Sequence, residues 1–214
     1  EGASLVCTLA AAEKLAPHCA SPAAIMRADQ LGAFPILLAG TDKQKDFYLR
    51  EMTQGRATSF ALSERIAGSD AAAIEATAVR EGDGWRLKGE KYWIGNGGAS
   101  RYYVVFAKTD PALAGRGITA FMVDKEQPGA AIDELSDKMG IRGTQTSNLK
   151  VDLVVPDSAR IGEVNRALRL ALQTLNVGRI MVSAQSMGLA IAAFNEAAKR
   201  AVQRLRQQVG SRGE

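Results

Sequence analysis

The stretch ATAVREGDGWRLKGEKYWIGNGG, Ala76 to Gly98, decides the fold class. EGDGW, Glu81 to Trp85, places glycine and aspartate between two runs of strand-forming residues, which predicts a β-hairpin joining ATAV to WRLKGEKYWI. The second run ends unusually, with Trp93 followed at once by Gly95, Asn96, Gly97 and Gly98. Downstream, YYVVFAK, GITAFMVD and SNLKVDLVV predict further strands, interrupted by the turn-rich DPALAGRG and EQPGA. A small β domain is expected here.

On both sides the period changes. From Ser4 to Thr53 the text is alanine-rich with helical spacings, and Thr41 and Asp42 are placed to cap a helix running from Lys43 to Met52. After Pro156, Ile180, Ala184, Met187, Ile191, Phe194, Ala198, Ala201 and Leu205 recur at spacings of three and four, the stripe of a long helix with one buried face. Leu168, Leu172 and Leu175 share that spacing, but Gly178 leaves open whether there is one helix or two. The expected fold class is α+β: N-terminal helices over 1–56, a central small β-barrel or β-sandwich over 57–160, and a C-terminal helical segment over 161–214. The tail from Gly210 to Glu214 is expected to fray.

Composition narrows the function classes. The 214 residues are 46% hydrophobic and 23% charged, enough for a real core, and the net charge of +4 lacks the dense basic patch of a nucleic-acid binder. Cys7 and Cys19 form no CxxC pair, and the single histidine, His18, has no second histidine with which to share a metal, so neither a disulfide framework nor a metal site is expected. No apolar run approaches the ~20 residues that span a bilayer, and no signal-peptide pattern opens the chain. A reduced compartment is expected, the cytoplasm or, in a eukaryote, the mitochondrial matrix.

Two loops invite a ligand. Glycines let backbone approach closely, and exposed N–H groups suit the oxygens and ring nitrogens of a cofactor. Trp93 beside them offers a flat wall, and FALSERIAGSD, Phe60 to Asp70, likewise runs from a strand into a loop with small hydroxyl residues. Taken alone, these residues favour a buried core tryptophan at a tight turn, because tryptophans are usually core. An enclosed planar heterocycle is the alternative.

Taken together, the motifs resemble those of the acyl-CoA dehydrogenases. FALSERIAGSD is similar to that family's F-A-L-T-E-P-G-A-G-S-D and LKGEKYWIGNGG to its L-N-G-x-K-x-W-I-T-N-G-G. VVFAKTD, GITAFMVDKEQPG, DKMGIRGTQTSNL, LQTLNVGRI and PILLAGTDKQKDFYL have counterparts in the same order. The resemblance extends from about Leu9 to about Gln203. It implies FAD as cofactor, with Trp93, Ile94 and Gly95 against the isoalloxazine and Phe60, Ala61, Leu62, Ser63 and Ser69 contacting ring and diphosphate. It also implies an acyl-CoA substrate met by Ser69, Asn176 and Arg179, and an electron-transferring flavoprotein as acceptor.

Departures from the pattern imply limits. Gly95 replaces a threonine or serine whose hydroxyl faces flavin N5, and Arg65 and Ile66 replace proline and glycine, so Ile66 would strain the loop if its backbone needs a positive φ. The family's catalytic base lies on a C-terminal helical domain or, in a minority, at the position of Gly178, so no catalytic residue is assigned. RQQVG, Arg206 to Gly210, is similar to the family's R-x-x-F-G but arrives two residues late with valine for phenylalanine. The resemblance thus implies a partial chain, inactive when isolated. A homo-oligomer or a complementing chain would then cover the stripe of the last helix, which would otherwise be an exposed band. A non-catalytic flavin- or acyl-CoA-binding module is the other reading.

Overall fold

The computed structural model describes residues 5–134 and 137–210. Three helices come first: α1 (Leu5–Leu15), α2 (Ala20–Ala39) and α3 (Asp42–Thr53). The cap expected at the start of α3 is a full capping box, in which the Thr41 side chain accepts from Gln44 N and the Gln44 side chain accepts from Thr41 N. Gln44 does more than cap. Its Nε2 donates to the carbonyls of Ser158 and Arg160, at 2.8 and 2.9 Å, which stitches the helical region to the far end of the β region.

The β region comprises β1 (Thr58–Ala61), β2 (Thr77–Glu81), β3 (Gly84–Ile94), β4 (Tyr102–Lys108), β5 (Ile118–Asp124), β6 (Ala130–Glu134), β7 (Ser147–Pro156) and β8 (Arg160–Ile161). The EGDGW hairpin forms with Glu81 opposite Gly84, and Gly82 takes φ +58 in the two-residue turn, a conformation that suits glycine. The strands run β6-β7-β3-β2-β4-β5-β8, with β1 parallel to β4. The halves β6-β7-β3-β2 and β1-β4-β5-β8 meet through one residue pair, Thr77 with Lys108, and their inner faces share one core. Trp85 of β3 lies 5.5 Å from Phe121 of β5 across that core. The arrangement is sandwich-like and mixed rather than purely antiparallel. The sequence reading has no strand at β6, whose first residue, Ala130, closes the turn-rich EQPGA.

The last element is one unbroken helix, α4 (Ala167–Gly210), so Gly178 does not divide it. α2 and α4 run antiparallel, since Leu31 of α2 faces Gly178 and Gln185 Nε2 donates to Ala20 O at 3.1 Å. The buried line of α4 is Ala167, Leu170, Ala171, Thr174, Gly178, Met181, Gln185 and Gly188, and of the predicted stripe Ala184 alone is half-buried. A Cβ on Gly188 would come within 2.2 Å of Glu13 O, so α1 can approach closely only because that residue is glycine. Ile180, Met187, Ile191, Phe194 and Leu205 are exposed, at 42 to 73%. Small residues won the contact because they let backbones approach, which leaves the large apolar side chains outside.

Among the described residues α4, over Ala167–Gln208, is long and apolar enough by length and composition alone to cross a membrane. Its polar Thr174 and Gln185 are nevertheless buried against the rest of the chain. The tail from residue 211 onward lies outside the described residues.

Candidate functional site

The regular pairing of β3 with β7 runs from Gly84 to Lys91 and then slips, so that Ile94 pairs next, with Ser147. Trp93 sits in that bulge with φ +56, a region bulky residues rarely occupy. The bulge turns the indole away from the sheet. Trp93 is 55% exposed, so the expectation of a buried core tryptophan at this turn is corrected; Trp93 stands at the surface, and it is Trp85, 6% exposed, that lies in the core. The backbone N–H of Trp93 donates to Asn148 Oδ1 at 3.2 Å, and Tyr92 flanks its ring at 5.7 Å.

The turn that follows is tied down from three sides. Ser59 Oγ donates to Gly95 O at 3.0 Å and shares a 2.7 Å hydrogen bond with Ser100 Oγ, Tyr103 Oη donates to Gly97 O, and Gly98 N donates to Gln145 O. Asn96 takes φ +60 and donates from Nδ2 to Asp29 Oδ1 of α2 at 2.7 Å. Burial raises the Asp29 carboxyl above its ordinary range, and the Asn96 hydrogen bond partly offsets this. Gly97 is confined, since a Cβ there would lie 2.1 Å from Ser147 Oγ. Gly95 differs: it is exposed, and a Cβ would meet only Ala28 Cβ, at an ordinary 3.5 Å.

The second loop is brought alongside by Tyr92 N, which donates to Ser63 O at 2.9 Å. Phe60 is half-buried against Phe106, Ala61 and Leu62 are buried, Ser63 is half-buried and Ser69 is exposed. Ile66 is exposed and is not among the residues with positive φ, so the expected strain at this position is absent. A pair invisible to local pattern reading holds the loop. Lys91 Nζ, fully buried, donates to Glu64 Oε1 at 2.7 Å and to Leu62 O at 3.1 Å, while the same carboxylate accepts from Glu75 N and Ala76 N. Burial pushes the Lys91 amine down to about 8 against the pull of Glu64. Glu64 and Lys91 lie in the two quoted motifs, but a separation of 27 residues gives no periodic signal.

Asn176 and Arg179 lie on α4, exposed and adjacent, with Arg179 Nη1 donating to Asn176 Oδ1 at 2.7 Å. α2 stands between them and the tryptophan loop, with Ala28 toward Gly95 and Leu31 toward Gly178. Trp93, Ile94, Gly95 and Phe60 to Ser63 therefore lie in two adjoining segments, with Ile94, Ala61 and Leu62 buried beneath them, and Asn176 and Arg179 stand across α2. Ser69 is not bonded to either.

A helical region set against a small β-sandwich, with a long helix packed on α1 and α2, is the arrangement found in solved relatives. Residues 1–56 match the model of the acyl-CoA dehydrogenase N-terminal domain and residues 59–154 that of the acyl-CoA dehydrogenase middle domain. A 3-(aryl)acrylate reductase of Clostridium sporogenes is 46% identical over 79% of this chain and 46% of its own length. The human mitochondrial short-chain specific acyl-CoA dehydrogenase is 40% identical over 91% of this chain and 48% of its own. The structure of butyryl-CoA dehydrogenase from Megasphaera elsdenii superposes with a TM-score of 0.89 at 37% identity, covering 93% of this chain and 53% of that one. The chain belongs to the acyl-CoA dehydrogenase family. It spans about half the length of the relatives it matches.

Proposed function

We propose that this chain carries the flavin-binding and thioester-binding surfaces of an acyl-CoA dehydrogenase, an oxidoreductase acting on the α,β C–C bond of an acyl-CoA. The observation that carries this reading is the bulge that turns Trp93 out of the sheet, with positive φ, beside the Ser63 loop. Backbone held in sparsely populated regions persists only where the surroundings enforce it, and such sites concentrate where ligands bind. An exposed indole on a braced turn fits one face of a planar ring, and the open space at Gly95 lets that ring lie close to backbone.

In this reading Trp93, Ile94, Gly95, Phe60, Ala61, Leu62, Ser63 and Ser69 hold FAD, which supplies a two-electron acceptor for hydrogen leaving the substrate. Ser69, Asn176 and Arg179 orient the acyl-CoA, with the Arg179 guanidinium suited to its anionic groups. Gly178 offers no carboxylate, so the one that takes the α proton comes from outside these residues, and isolated residues 1–214 do not turn over substrate. An electron-transferring flavoprotein would reoxidise the cofactor, and a second copy or a complementing chain would cover α4. A non-catalytic binding module is the second reading, favoured by the absence of a carboxylate at residue 178.

Titration of the complete polypeptide with FAD tests the placement. Trp93→Ala should weaken binding, and Gly95→Thr, which introduces one hydroxyl into open space, should tighten it roughly 2- to 10-fold, the worth of one net hydrogen bond of about 0.5 to 1.5 kcal/mol. Weaker FAD binding by a folded Gly95→Thr variant would show that residue 95 does not face the ring. Bleaching of bound flavin by an acyl-CoA separates the enzyme from the binding module.

A further inference from the structure

The loop that follows β1 is held to β3 by two consecutive residues. Lys91 Nζ donates to Leu62 O at 3.1 Å and to Glu64 Oε1 at 2.7 Å, and Tyr92 N, one residue on, donates to Ser63 O at 2.9 Å. Three successive loop residues are thus tied to the two residues that precede Trp93. Glu64 extends the tie. Its carboxylate accepts from Glu75 N at 2.6 Å and Ala76 N at 3.0 Å, where the chain enters β2, and its backbone N–H and C=O pair with Ala67 O and N to close the loop tip. Lys91 is also the last residue of the regular pairing of β3 with β7 before the slip that turns Trp93 outward.

Stability does not account for this pair. Both side chains are nearly sealed from water, at 0 and 7% exposed, and a buried ion pair recovers little beyond the cost of its own desolvation, so apolar residues of like volume would hold the interior together as well. Apolar residues could not fix Leu62 and Glu64 in register with β3, because burial is non-directional and hydrogen bonds are not. The loop so braced carries a hydroxyl, Ser63 Oγ, that is half-buried and makes no hydrogen bond among the described residues. Fixed backbone that presents an unbonded hydroxyl beside an outward indole is the arrangement of a site preorganised for a ligand.

We infer that Lys91 is a positioning residue of the flavin site: through Leu62 and Glu64 it sets the spacing between the Ser63 loop and the Trp93 ring, and, being fully buried, it touches no cofactor itself. This rests on the placement of FAD against those two segments proposed above. Without the amine, Leu62 O and the Glu64 carboxylate lose their donor, and Tyr92 N to Ser63 O is the one direct hydrogen bond left between the end of β3 and the loop. A shift of about 1 Å between the two segments is enough to spoil hydrogen-bond geometry. A planar ring then meets one wall well and the other poorly.

Titration of the complete polypeptide with FAD, paired with its melting temperature before FAD is added, separates positioning from stability. Lys91→Met should weaken FAD binding about tenfold, the worth of one or two hydrogen bonds from the loop, and lower the melting temperature. Lys91→Met combined with Glu64→Gln leaves no stranded charge, so it should regain much of the lost melting temperature, while FAD affinity stays low because Leu62 O still has no donor from β3. If Lys91→Met fails to fold, the double variant carries the test. If that fails too, Glu64→Gln alone carries it, with the same expected loss of affinity, since its partner amine, which burial holds at about 8, gives up its proton at little cost. Wild-type affinity in a folded Lys91→Met protein, or affinity that returns together with the melting temperature in the double variant, overturns the inference, and a loss of binding in Trp93→Ala then leaves the flavin placement standing. Absence of FAD binding by the wild-type protein overturns the inference together with the placement beneath it.

Discussion

β4 and β5 are built from the same kinds of side chain as the second half of α4, and their fates are opposite. Tyr103, Val104, Val105, Phe106, Phe121 and Val123 have no exposed surface, whereas Ile191, Phe194 and Leu205 of α4 are 42, 73 and 61% exposed. Each strand finds its partners within this chain: β4 lies between β1 and β5, and Trp85 closes over Phe121. Of the α4 stripe, Ala184 packs against the Ala12–Ala16–Ala23 cluster, while the large side chains stay exposed because the helix turns its glycines and small residues toward α1 and α2. Apolar periodicity reports that a face avoids water. It carries no information about the surface that covers it.

The largest expected effect is in the sandwich. Phe121→Ala removes a ring from the seam between the two halves of the sheet and should cost about 3 to 5 kcal/mol in denaturant unfolding. A cost under about 1 kcal/mol would mean that the halves do not depend on a shared core, since large truncations in a packed interior cost several times that.

The buried ion pair comes next. Lys91→Met strands the Glu64 carboxylate in the interior and should cost about 3 kcal/mol near neutral pH. Its pH signature has a definite sign. Folded Lys91 loses its proton near pH 8, whereas an unfolded lysine keeps it until about 10.4. Between those values the unfolded chain binds the extra proton, so the contribution of Lys91 makes stability rise with pH through that window. Unfolding curves of wild type and Lys91→Met across pH 8 to 10.4 should diverge in slope. Parallel curves would show that the amine is not desolvated.

Gly188→Ala probes the face that α4 does bury. In an exposed helix interior this change stabilises by up to about 1 kcal/mol. Here the new methyl meets the Glu13 carbonyl, and a loss of about 1 to 3 kcal/mol is expected in the same assay. Phe194→Ala, on the bare stripe, should change stability by less than about 0.5 kcal/mol. A larger loss in the complete polypeptide would show that something covers the stripe there, and would end the contrast with β5.

Local chemistry was legible. The EGDGW turn, the Thr41 cap and the runs that became β3, β4, β5 and β7 all carry their signals within a few residues. Features set by distant partners were not. β6 was hidden because Pro128 and Gly129 immediately precede Ala130 and read as a turn, and its pairing with β7 supplies what its own propensity lacks. Gly178 leaves one helix or two open in the sequence, yet it provides the space in which Leu31 packs. The candidate site was found by motif, but the outward turn of Trp93 depends on a slip of register against β7. The Glu64–Lys91 clamp joins two loops that no spacing rule connects.

The contrast between the two tryptophans also gives the molecule built-in optical reporters. Indole emission shifts to longer wavelength in contact with water, and dissolved iodide quenches only rings it can reach. Trp85, 6% exposed under the cation of Arg80, should emit blue and resist iodide, while Trp93, 55% exposed, should emit red and be quenched. A Trp85→Phe variant would therefore report the bulge alone, and a Trp93→Phe variant would report the sandwich alone. Unfolding of the sheet and occupancy of the loop could then be followed as separate signals in one cuvette, without any added label.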